Sequence, residues 1–499
     1  MRSWSKYQKA IFSFVESGKG NAIVVAVAGS GKTTTIVDAV SRTQGSSIFL
    51  AFNKFIASEL ITRGVNARTF HSLTYGAVTS FKSTRQVHSD KLRMLVRKHF
   101  SGRDNEIYGS FTIKLVGLAR QAGIDHLVPN VQSSWMNLVS YHDLEIENEQ
   151  GVLQRGLELA SDLLAYSNES PMVDFDDLLY LAVKEDLSLP KFDMVFVDEA
   201  QDTNAIQRSL LHKILHPSSR IIAVGDPAQA IYGFRGADSD SMDLIKKEFK
   251  CVELPLTVSY RCPRAVVKYA AQWVDHIEAA PRAPEGVVVE LGTTWDLESF
   301  EAKDLILCRT TKPLVALGFR LLRRGIPARI LGKEIGDGLR ALVERQRADT
   351  TDQLRIKLAI WAEHEAFTAR AKGDDSKAEV VYDKVEALYC LIDGLSENQR
   401  TIPALLNAIE SLFNDNANAV TLATIHKAKG LEAPTVYWLN RSQCPQKWVS
   451  RDWQLKQEEN LCYVAATRAQ ERLILIEDGK TKASRHDFSG SPGDLDSWS

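Results

Sequence analysis

A short apolar run that leads directly into a glycine-rich loop constrains this chain more than any other feature. Residues 23–28 are apolar and rich in β-branched side chains, residues 29–35 read GSGKTTT, and residues 36–40 continue with helical character. Glycines let a backbone wrap closely around phosphates, and the amides at a helix amino end supply positive potential there. The order strand, loop, helix therefore predicts a parallel α/β sheet with a phosphate-binding loop at residues 26–33.

The residues of this loop suit distinct chemical tasks. Lys32 can reach the β- and γ-phosphates of a nucleotide, and the Thr33 hydroxyl can ligate Mg²⁺. Ala26 stands where the strict pattern has its first glycine, so the match is to a relaxed form of the loop. A chance glycine-rich turn is the alternative. The predicted nucleotide contacts in the loop are Ala26, Gly29, Ser30, Gly31, Lys32, Thr33 and Thr34.

Two adjacent acids at the end of another apolar run supply the second half of such a site. Residues 194–197 lead directly into Asp198 and Glu199. Asp198 can hold Mg²⁺, through water or directly, while Glu199 can orient and deprotonate an attacking water. An acidic helix start would also explain both residues, because carboxylates favour that position. Together with the phosphate loop, the pair indicates nucleotide hydrolysis.

Length and composition are those of a folded protein with several domains. The 499 residues exceed one ordinary core, and 44% hydrophobic with 25% charged residues is typical of globular chains. The first hundred residues carry 15 Lys or Arg against 4 Asp or Glu, a basic end that faces either phosphates or solvent alone. No stretch suits a bilayer and the amino end does not resemble a signal peptide, which predicts a cytoplasmic protein, nuclear in a eukaryote.

The cysteines do not indicate a metal centre. The six residues lie far apart, at positions 251, 262, 308, 390, 444 and 462, without the spacings of zinc or iron-sulfur sites. We interpret them as reduced packing residues.

Short β-branched runs divide the chain into two sets of predicted parallel strands. The first set is residues 23–28, 47–52, 194–198 and 221–226. The second is residues 287–291, 304–309, 420–425, 436–439 and 473–476. A helical stretch interrupts each set, at about 76–189 and 332–419, and residues 479–499 have the composition of a loose tail. Two α/β sheets with helical insertions are expected.

Ten short segments, in order along nearly the whole chain, resemble the UvrD/Rep/PcrA-like helicases of superfamily 1. They include AFNK at 51–54, TFHSL at 69–73, DFDDL at 174–178 and SYR at 259–261; the others are residues 7–8, 26–33, 197–202, 224–237, 424–432 and 458–469. AFNK, GDP at 225–227 and IYGFRG at 231–236 are most similar to the F-box DNA helicase branch. No F-box precedes these segments, so we expect the partner-binding extension of that branch to be absent.

The resemblance implies two RecA-like P-loop domains with ATP and Mg²⁺ in a cleft between them. Gln8 would read the adenine, Tyr260 would stack on it, and Glu432 would bind the ribose. An aromatic residue before an arginine can equally be a core residue, which is the alternative for Tyr260.

The resemblance also implies three catalytic residues beyond Lys32 and Glu199. Gln229 would sense the γ-phosphate. Arg261 and Arg468 would reach that phosphate from the second sheet domain, because planar guanidinium groups suit spread oxyanion charge. Isolated arginines are more often solvated or paired with acids, so this role depends on the motifs.

Aromatic and polar residues in the same segments predict a track for single-stranded nucleic acid. Single strands are held by aromatic side chains that stack on bases, with basic or polar groups at the backbone. The resemblance implies one groove that contains Phe52, Asn53, Thr69, His71, Tyr232, Phe234, Arg235 and His426. Core packing is the alternative for each aromatic residue, and neither histidine is inferred to bind a metal. The DFDDL acids resemble a signature beside this groove and fit an acidic helix start equally well, so they receive no catalytic role.

The implied domains have definite bounds. Residues 1–75 with 190–248 would form the first RecA-like domain, and residues 249–332 with 419–478 the second. Residues 76–189 and 333–418 would be the helical insertions. The second insertion is shorter than in bacterial relatives, which puts strand separation in doubt.

The function implied is an ATP-dependent motor that moves 3′ to 5′ on single-stranded DNA or a tailed duplex in repair, recombination or replication. The alternative is a DNA-stimulated ATPase that remodels protein–DNA complexes without processive unwinding. RNA is not excluded, a monomer is expected, and the sequence does not indicate protein partners or a membrane. Too few residues follow Arg468 for the nuclease domain of a third alternative, an ATP-dependent nuclease subunit.

Overall fold

The computed structural model describes residues 4–142, 144–146, 150–233, 240–370, 375–396, 400–413, 418–446, 449 and 451–478. These form two compact units. The first comprises the described residues up to Glu285, with Arg355–Val385 and Pro445–Thr467. The second comprises Gly286–Leu354, Glu386–Cys444 and the described residues from Arg468 onward. Phe234, Arg235 and the predicted tail at 479–499 lie outside the described residues.

Six parallel strands form the sheet of the first unit. In chain order they are β1 (Ala22–Ala26), β2 (Ser47–Leu50), β3 (Ala67–Arg68), β4 (Phe192–Val197), β5 (Leu215–Gly225) and β6 (Val252–Leu256). Their order across the sheet is β3-β2-β4-β5-β1-β6, and every neighbouring pair is parallel. Val24, Val195 and Phe196 are fully buried, as expected where helices cover both faces of a sheet. All four predicted strands of the first set are confirmed.

The first unit contains helices before, within and after the helical insertion. Before it come α1 (Lys6–Ser17), α2 (Lys32–Val40), α3 (Lys54–Thr62) and α4 (Phe70–Phe81). The insertion consists of α5 (Lys91–His99), α6 (Gly102–Ala122), α7 (Gln132–His142), α8 (Leu153–Glu169) and α9 (Phe175–Lys184). After it come α10 (Ala205–Lys213), α11 (Ser241–Glu248), the short parallel pair β7 (Val258–Ser259) and β8 (Glu278–Ala279), and α12 (Arg264–Ala270).

The helical insertion shares its core with the sheet. Leu115 of α6, Leu163 of α8 and Leu181 of α9 are fully buried in the same apolar cluster as Ile48 of β2 and Val195 of β4. Burial of apolar surface is the main stabilising contribution to such packing. The insertion is therefore fixed to the sheet rather than attached by a linker.

Charged side chains are buried where three helices of the insertion meet. Lys91 Nζ lies 2.6 Å from Asp177 Oδ2, and Arg120 donates to Asp177 Oδ1 at 2.7 Å and to both oxygens of Asp174 at 3.0 Å. Burial lowers the pKa of Lys91 against the opposing pull of Asp177. Burial opposes ionisation of Arg120 too, but the charges of Asp174 and Asp177 outweigh it and raise its pKa. These ion pairs join α5, α6 and α9.

The DFDDL acids are also the helix start that the sequence offered as one interpretation. Asp174 is the N-cap of α9, and its side chain accepts from the backbone N–H of Asp177 while Asp177 accepts from the N–H of Asp174. This reciprocal capping box satisfies two amide donors at the end of the helix. Asp174 and Asp177 thus have structural roles in the insertion.

A pH-dependent contribution to stability is expected from His142, the last residue of α7. Its ring lies edge-on to Tyr141 and Trp453, and burial, with the charge of Lys114, lowers its pKa to about 4. Because the folded pKa lies below the ordinary value, this contribution is complete above about pH 6.5 and is lost as the pH falls towards 4. His142→Phe should remove that loss.

Urea unfolding at pH 7 and pH 5 measures this effect. The wild type should lose about 1 to 2 kcal/mol more than His142→Phe between the two pH values, the lower figure allowing for partial solvent exposure. Equal pH dependence in the two proteins would contradict the expectation.

The second unit contains another six-stranded parallel sheet. Its strands are β9 (Val287–Gly292), β10 (Leu305–Cys308), β11 (Ala328–Ile330), β12 (Val420–Thr424), β13 (Ala433–Leu439) and β14 (Ala469–Ile476), in the order β11-β12-β10-β13-β14-β9. The remaining helices of the chain are α13 (Lys312–Arg323), α14 (Lys333–Gln346), α15 (Thr351–Arg370), α16 (Asp375–Gly394), α17 (Ile402–Leu412) and α18 (Asp452–Ala466). Most of α15, the first part of α16 and all of α18 belong to the first unit. Two parallel α/β sheets interrupted by helical stretches were expected, and this fold class is confirmed.

Two domain assignments differ from the sequence prediction: the boundary at residue 249, and Pro445–Thr467, which was assigned to the second sheet domain but groups with the first unit. Strand β6 was assigned to the second sheet domain, which was to begin at residue 249, but β6 pairs in parallel with β1 from Ala22 to Ala26. The first sheet therefore extends to Leu256. Arg261, also assigned to the second domain, belongs to the same compact unit as β1.

The remaining bulk predictions concern cysteines and membranes. All six cysteines lie among the described residues, and none forms a disulfide. Five of them are buried. Within the described parts of the chain, no helix has both the length and the apolarity of a membrane-spanning segment.

Candidate nucleotide and nucleic-acid site

The carboxyl edge of the first sheet gathers most of the predicted site. In parallel strands all carboxyl ends meet at one edge, where ligands bind in α/β folds. The predicted phosphate loop follows β1, the acids follow β4, and the turn with Gln229 follows β5. The predicted nucleic-acid contacts Phe52 and Thr69 follow β2 and β3. Since β2 and β3 occupy one side of the sheet and β5, β1 and β6 the other, the two groups of residues lie side by side.

The phosphate loop has a backbone that only glycine adopts readily. Gly29 and Gly31 have φ angles of 71° and 77°, in the left-handed region. A Cβ on Gly29 would lie 2.5 Å from the Cβ of Arg261, whereas a Cβ on Gly31 would meet nothing nearer than Gln8 Nε2 at 3.9 Å. The loop is therefore closed against the segment 259–261 at Gly29 and open at Gly31, where α2 begins.

Segment 259–261 is held against the loop by its backbone. The Tyr260 N–H donates to the carbonyl of Gly29 at 2.8 Å, and Arg261 Nη1 donates to the carbonyl of Thr467 at 3.4 Å. Tyr260 is 47% exposed, so the core-packing alternative does not describe it. Tyr260 and Arg261 thus border the phosphate loop.

Gln8 lies beside the start of α2. Its Nε2 donates to Thr35 Oγ1 at 2.9 Å, and Thr35 Oγ1 in turn donates to the Gly31 carbonyl at 2.8 Å. Its Oε1 accepts from the N–H of Ser5, which caps α1. The predicted adenine contact is therefore next to the loop and anchored on both sides.

The two acids after β4 approach the loop lysine. Lys32 Nζ lies 3.8 Å from Glu199 Oε1, and Gln201 Nε2 donates to the other oxygen of Glu199. Glu199 has a φ of 49°, a strained value for a residue with a side chain. Asp198 is buried and accepts from the Glu199 N–H at 3.0 Å. The pair thus directs one carboxylate toward Lys32 and keeps the other in the interior.

The turn after β5 positions Gln229. Gln229 Nε2 donates to Asp226 Oδ2 at 2.6 Å, and the Asp226 N–H donates to Gln201 Oε1 at 3.0 Å. Burial raises the pKa of Asp226, and the charge of Lys32 opposes this rise. Gln201 therefore links the Glu199 carboxylate to the Gln229 turn through opposite ends of one amide.

These residues fit a Mg²⁺-nucleotide. Mg²⁺ takes hard oxygen ligands and is usually held by one or two protein groups plus substrate phosphates. Thr33 and Asp198 offer such a hydroxyl and carboxylate, and no cluster of three or more His, Cys, Asp or Glu ligands occurs in the described residues. Ser30 Oγ is buried without a hydrogen-bond partner among those residues, and a phosphate oxygen could accept from it.

The predicted nucleic-acid aromatics of the first unit meet around one cavity. Phe52 and Tyr232 stack with ring centroids 6.1 Å apart and an interplanar angle of 9°. They line a cavity of about 340 Å³ together with His71 and Asp176. Phe52 is 47% exposed, and burial lowers the pKa of His71, so its ring is neutral at neutral pH. Stacked, partly exposed rings beside a cavity are suited to hold a base.

Two residues that were predicted to contact nucleic acid also cap helices. Asn53 is the N-cap of α3, accepting from the Ile56 N–H at 2.9 Å, and Thr69 is the N-cap of α4. Capping satisfies amides that the helix leaves unpaired. Nucleic-acid contact by Asn53, Thr69 and, outside the described residues, Phe234 and Arg235 stays a prediction.

The predicted residues of the second unit lie at two edges of its sheet. Glu432 and Arg468 directly precede the neighbouring strands β13 and β14, and His426 follows β12. Gln470 Nε2 donates to Glu432 Oε1 at 2.9 Å, and the buried Arg468 donates to the Leu431 carbonyl at 3.3 Å. Glu432 and Arg468 thus share the amino edge, and His426 lies at the carboxyl edge.

Comparison with known proteins agrees with this arrangement. Residues 7–250 match the family model of the UvrD/REP helicase N-terminal domain, and residues 333–479 match that of the UvrD-like helicase C-terminal domain. The chain belongs to the UvrD-like helicases. Its two parallel sheets are accordingly the RecA-like domains of that family.

Relatives of this UvrD-like helicase come from eukaryotes and bacteria. F-box DNA helicase protein 1 of Schizosaccharomyces pombe is 27% identical over 91% of this chain and 55% of its own length. F-box DNA helicase 1 of Gallus gallus is 24% identical over 91% and 47%. DNA helicase II of Escherichia coli is 24% identical over 61% and 59%. The chain spans about half the length of these relatives.

One surface residue of this UvrD-like helicase was missed by sequence reasoning. Phe175 is 57% exposed and lies edge-on to His71, with ring centroids 6.2 Å apart. The sequence offered one signal for this residue, because an aromatic side chain between two acids at a helix start is unusual at a position that faces solvent. Phe175 therefore adds an exposed ring next to His71, one of the residues that line the Phe52 cavity.

Proposed function

We propose that this chain is an ATP-dependent DNA motor that moves 3′ to 5′ along single-stranded DNA or from a single-stranded tail. The observation that supports it best is the shared carboxyl edge of the first sheet. At that edge, the residues proposed to bind the nucleotide follow β1, β4 and β5, and the aromatic residues proposed to contact DNA follow β2 and β5. The names of the relatives, which are DNA helicases, support DNA as the substrate. Polarity and a role in repair, recombination or replication derive from the family resemblance.

The geometry supports distinct roles in ATP hydrolysis. Lys32, 3.8 Å from Glu199, would neutralise charge on the β- and γ-phosphates and leave that carboxylate when they bind. Glu199 would then orient and deprotonate the attacking water. Thr33 and Asp198 would hold Mg²⁺, which supplies charge neutralisation at the transferred phosphoryl group. Gln229, fixed by Asp226, would sense the γ-phosphate.

Nucleotide affinity would come from residues around the loop. Gln8 would read the adenine and Tyr260 would stack on it, because both border the loop and the Tyr260 ring is exposed. Arg261, whose Cβ and backbone lie beside Gly29, would reach the γ-phosphate with its guanidinium. Arg468 and Glu432 of the second unit are proposed for the γ-phosphate and ribose by resemblance alone.

The DNA track would use stacking rather than base-specific hydrogen bonds. Phe52, Tyr232 and His71 offer ring faces around one cavity, and stacking tolerates every base because each has a π-face. His426, and Phe234 with Arg235, are proposed for the same track from the motifs. A cytoplasmic or nuclear location is part of this proposal.

A steady-state ATPase assay tests the proposal. Turnover should rise strongly with single-stranded DNA, less with duplex, and Lys32→Ala should lower it about 10²-fold because one phosphate donor is lost. Lys19→Ala, which removes an exposed lysine, is the matched control and should be unchanged. Stimulation by RNA but not by DNA would reassign the substrate, and unchanged turnover in Lys32→Ala would refute the nucleotide site.

The second candidate is a DNA-stimulated ATPase that remodels protein–DNA complexes without processive unwinding. The second helical insertion, which lies between β11 and β12 and contains α14 to α17, favours this candidate because it is short. Stopped-flow translocation on single strands, combined with a 3′-tailed duplex assay, separates the two. Robust unwinding by the isolated protein excludes the second candidate, whereas translocation without unwinding supports it and excludes strand separation by the isolated motor.

A further inference from the structure

Helix α18 contacts three parts of the proposed motor through one face. Trp453, Gln457, Asn460 and Tyr463 are spaced by four, three and three residues, which places them along one side of a helix. All of them belong to the first compact unit. Gln457, Asn460 and Tyr463 are buried, so their partners are fixed by packing as well as by hydrogen bonds.

Tyr463 holds the backbone of the phosphate loop. The Ala28 N–H donates to the Tyr463 hydroxyl at 2.9 Å, and both residues are fully buried. A buried amide that loses its acceptor is left unsatisfied, which is costly. The hydroxyl therefore fixes the residue directly before Gly29.

Asn460 holds the turn that contains Gln229. Its Nδ2 donates to the carbonyls of Pro227 at 3.2 Å and Ala230 at 2.9 Å, the residues on either side of Ala228 and Gln229. One amide group thus closes the ends of the proposed γ-phosphate sensor. The same turn leads within two residues to Tyr232.

Gln457 and Trp453 lie close to the backbone of Gly233, the residue after Tyr232. A Cβ on Gly233 would lie 2.1 Å from Gln457 Nε2 and 3.4 Å from Trp453, so the helix approaches this backbone as closely as glycine permits. Trp453 also stacks on Tyr141, with ring centroids 5.7 Å apart, and donates to its carbonyl at 3.0 Å. The far end of α18 is thereby anchored to α7.

We infer that α18 is a rigid link that couples the phosphate loop to the nucleic-acid track, with Tyr463 and Asn460 as its positioning residues. This inference rests on the proposed function. Tyr463 positions the loop and Asn460 positions the turn between the Gln229 sensor and Tyr232. Loss of the Tyr463 hydrogen bond and loss of the two Asn460 hydrogen bonds should change different kinetic parameters, because the two residues hold different parts of the proposed site.

Two single variants separate these effects. Tyr463→Phe removes only the hydroxyl, so KM for ATP should rise about tenfold while the DNA concentration for half-maximal stimulation stays constant. Asn460→Leu keeps the volume and removes both donated bonds, so the ratio of DNA-stimulated to basal kcat should fall about tenfold with little change in KM for ATP. Glu459→Gln, at an exposed neighbour, is the matched control and should behave as wild type.

The outcomes distinguish this inference from the proposed function. A wild type without DNA-stimulated turnover overturns the proposed function and the inference with it. A stimulated wild type with the same stimulation ratio in Asn460→Leu, or with an unchanged KM in Tyr463→Phe, overturns the inference alone. Should Asn460→Leu fail to fold by thermal melting, Asn460→Ser decides, because it is smaller and also lacks the bridging amide.

Discussion

Glu199→Gln is expected to lower the DNA-stimulated kcat of ATP hydrolysis by roughly 10³-fold, within the range for loss of a general base. The amide keeps the shape of the carboxylate but cannot take a proton from the attacking water. The side chain of Glu199, on a left-handed backbone, lies 3.8 Å from Lys32 Nζ, so the substitution acts beside the phosphate loop. Steady-state hydrolysis at saturating ATP and saturating single-stranded DNA measures this kcat directly.

Binding of ATP should survive this substitution. The change removes a negative charge beside Lys32, so nucleotide affinity should stay equal or increase slightly. Asp193→Asn, near the amino end of strand β4, which leads to Glu199, is the matched control. This variant should retain turnover within about twofold. A Glu199→Gln protein that hydrolyses ATP at the wild-type rate would remove Glu199 from the proposed mechanism.

Asp177→Ala should destabilise the protein by about 3 to 5 kcal/mol, the cost of leaving buried charges without a partner. Lys91 would lose its carboxylate at 2.6 Å and Arg120 one of its two buried acids. The expected fall in Tm of the first thermal transition is roughly 10 °C, measured by calorimetry because a chain with two units need not unfold in one step.

Asp176→Asn is the control for that measurement. Asp176 lies 3.8 Å from Arg120 and is partly exposed, so its loss should change stability by less than about 1 kcal/mol. Equal destabilisation by both variants would indicate that general negative charge near Arg120, rather than the buried pairs, stabilises α9.

The strands of both sheets were predictable wherever they are buried on two faces. Such strands read as continuous apolar runs, which single the four central strands of the first sheet out of the sequence. Strand β6 was missed because it is an edge strand in which Val252, Glu253 and Pro255 are exposed, and because it contains a proline, which only an edge strand tolerates. β3 and β11 were missed because two or three residues carry no periodicity.

The site was predictable as a set of local patterns and not as a set of contacts. The positions of Lys32 and Glu199 follow from strand ends, which sequence patterns locate well, whereas Gln229 was given by the family resemblance. Pairing of Lys91 or Arg120 with Asp177 joins residues 86 and 57 positions apart on different helices, and helical periodicity alone assigns such charges to solvent. The contact of Tyr463 with Ala28 joins residues 435 positions apart, and no local pattern reports it.

The order of strands in the first sheet sets the distance between the loops that follow them. Three strand intervals separate β1 from β2, by way of β5 and β4. At about 4.8 Å for each interval, the starts of the loops after β1 and β2 are held about 14 Å apart by backbone hydrogen bonds. Loop sequences can vary without changing that span. The distance between the start of the phosphate loop and the start of the loop with Phe52 is therefore set by the sheet, and any variant that preserves the strand order should keep it.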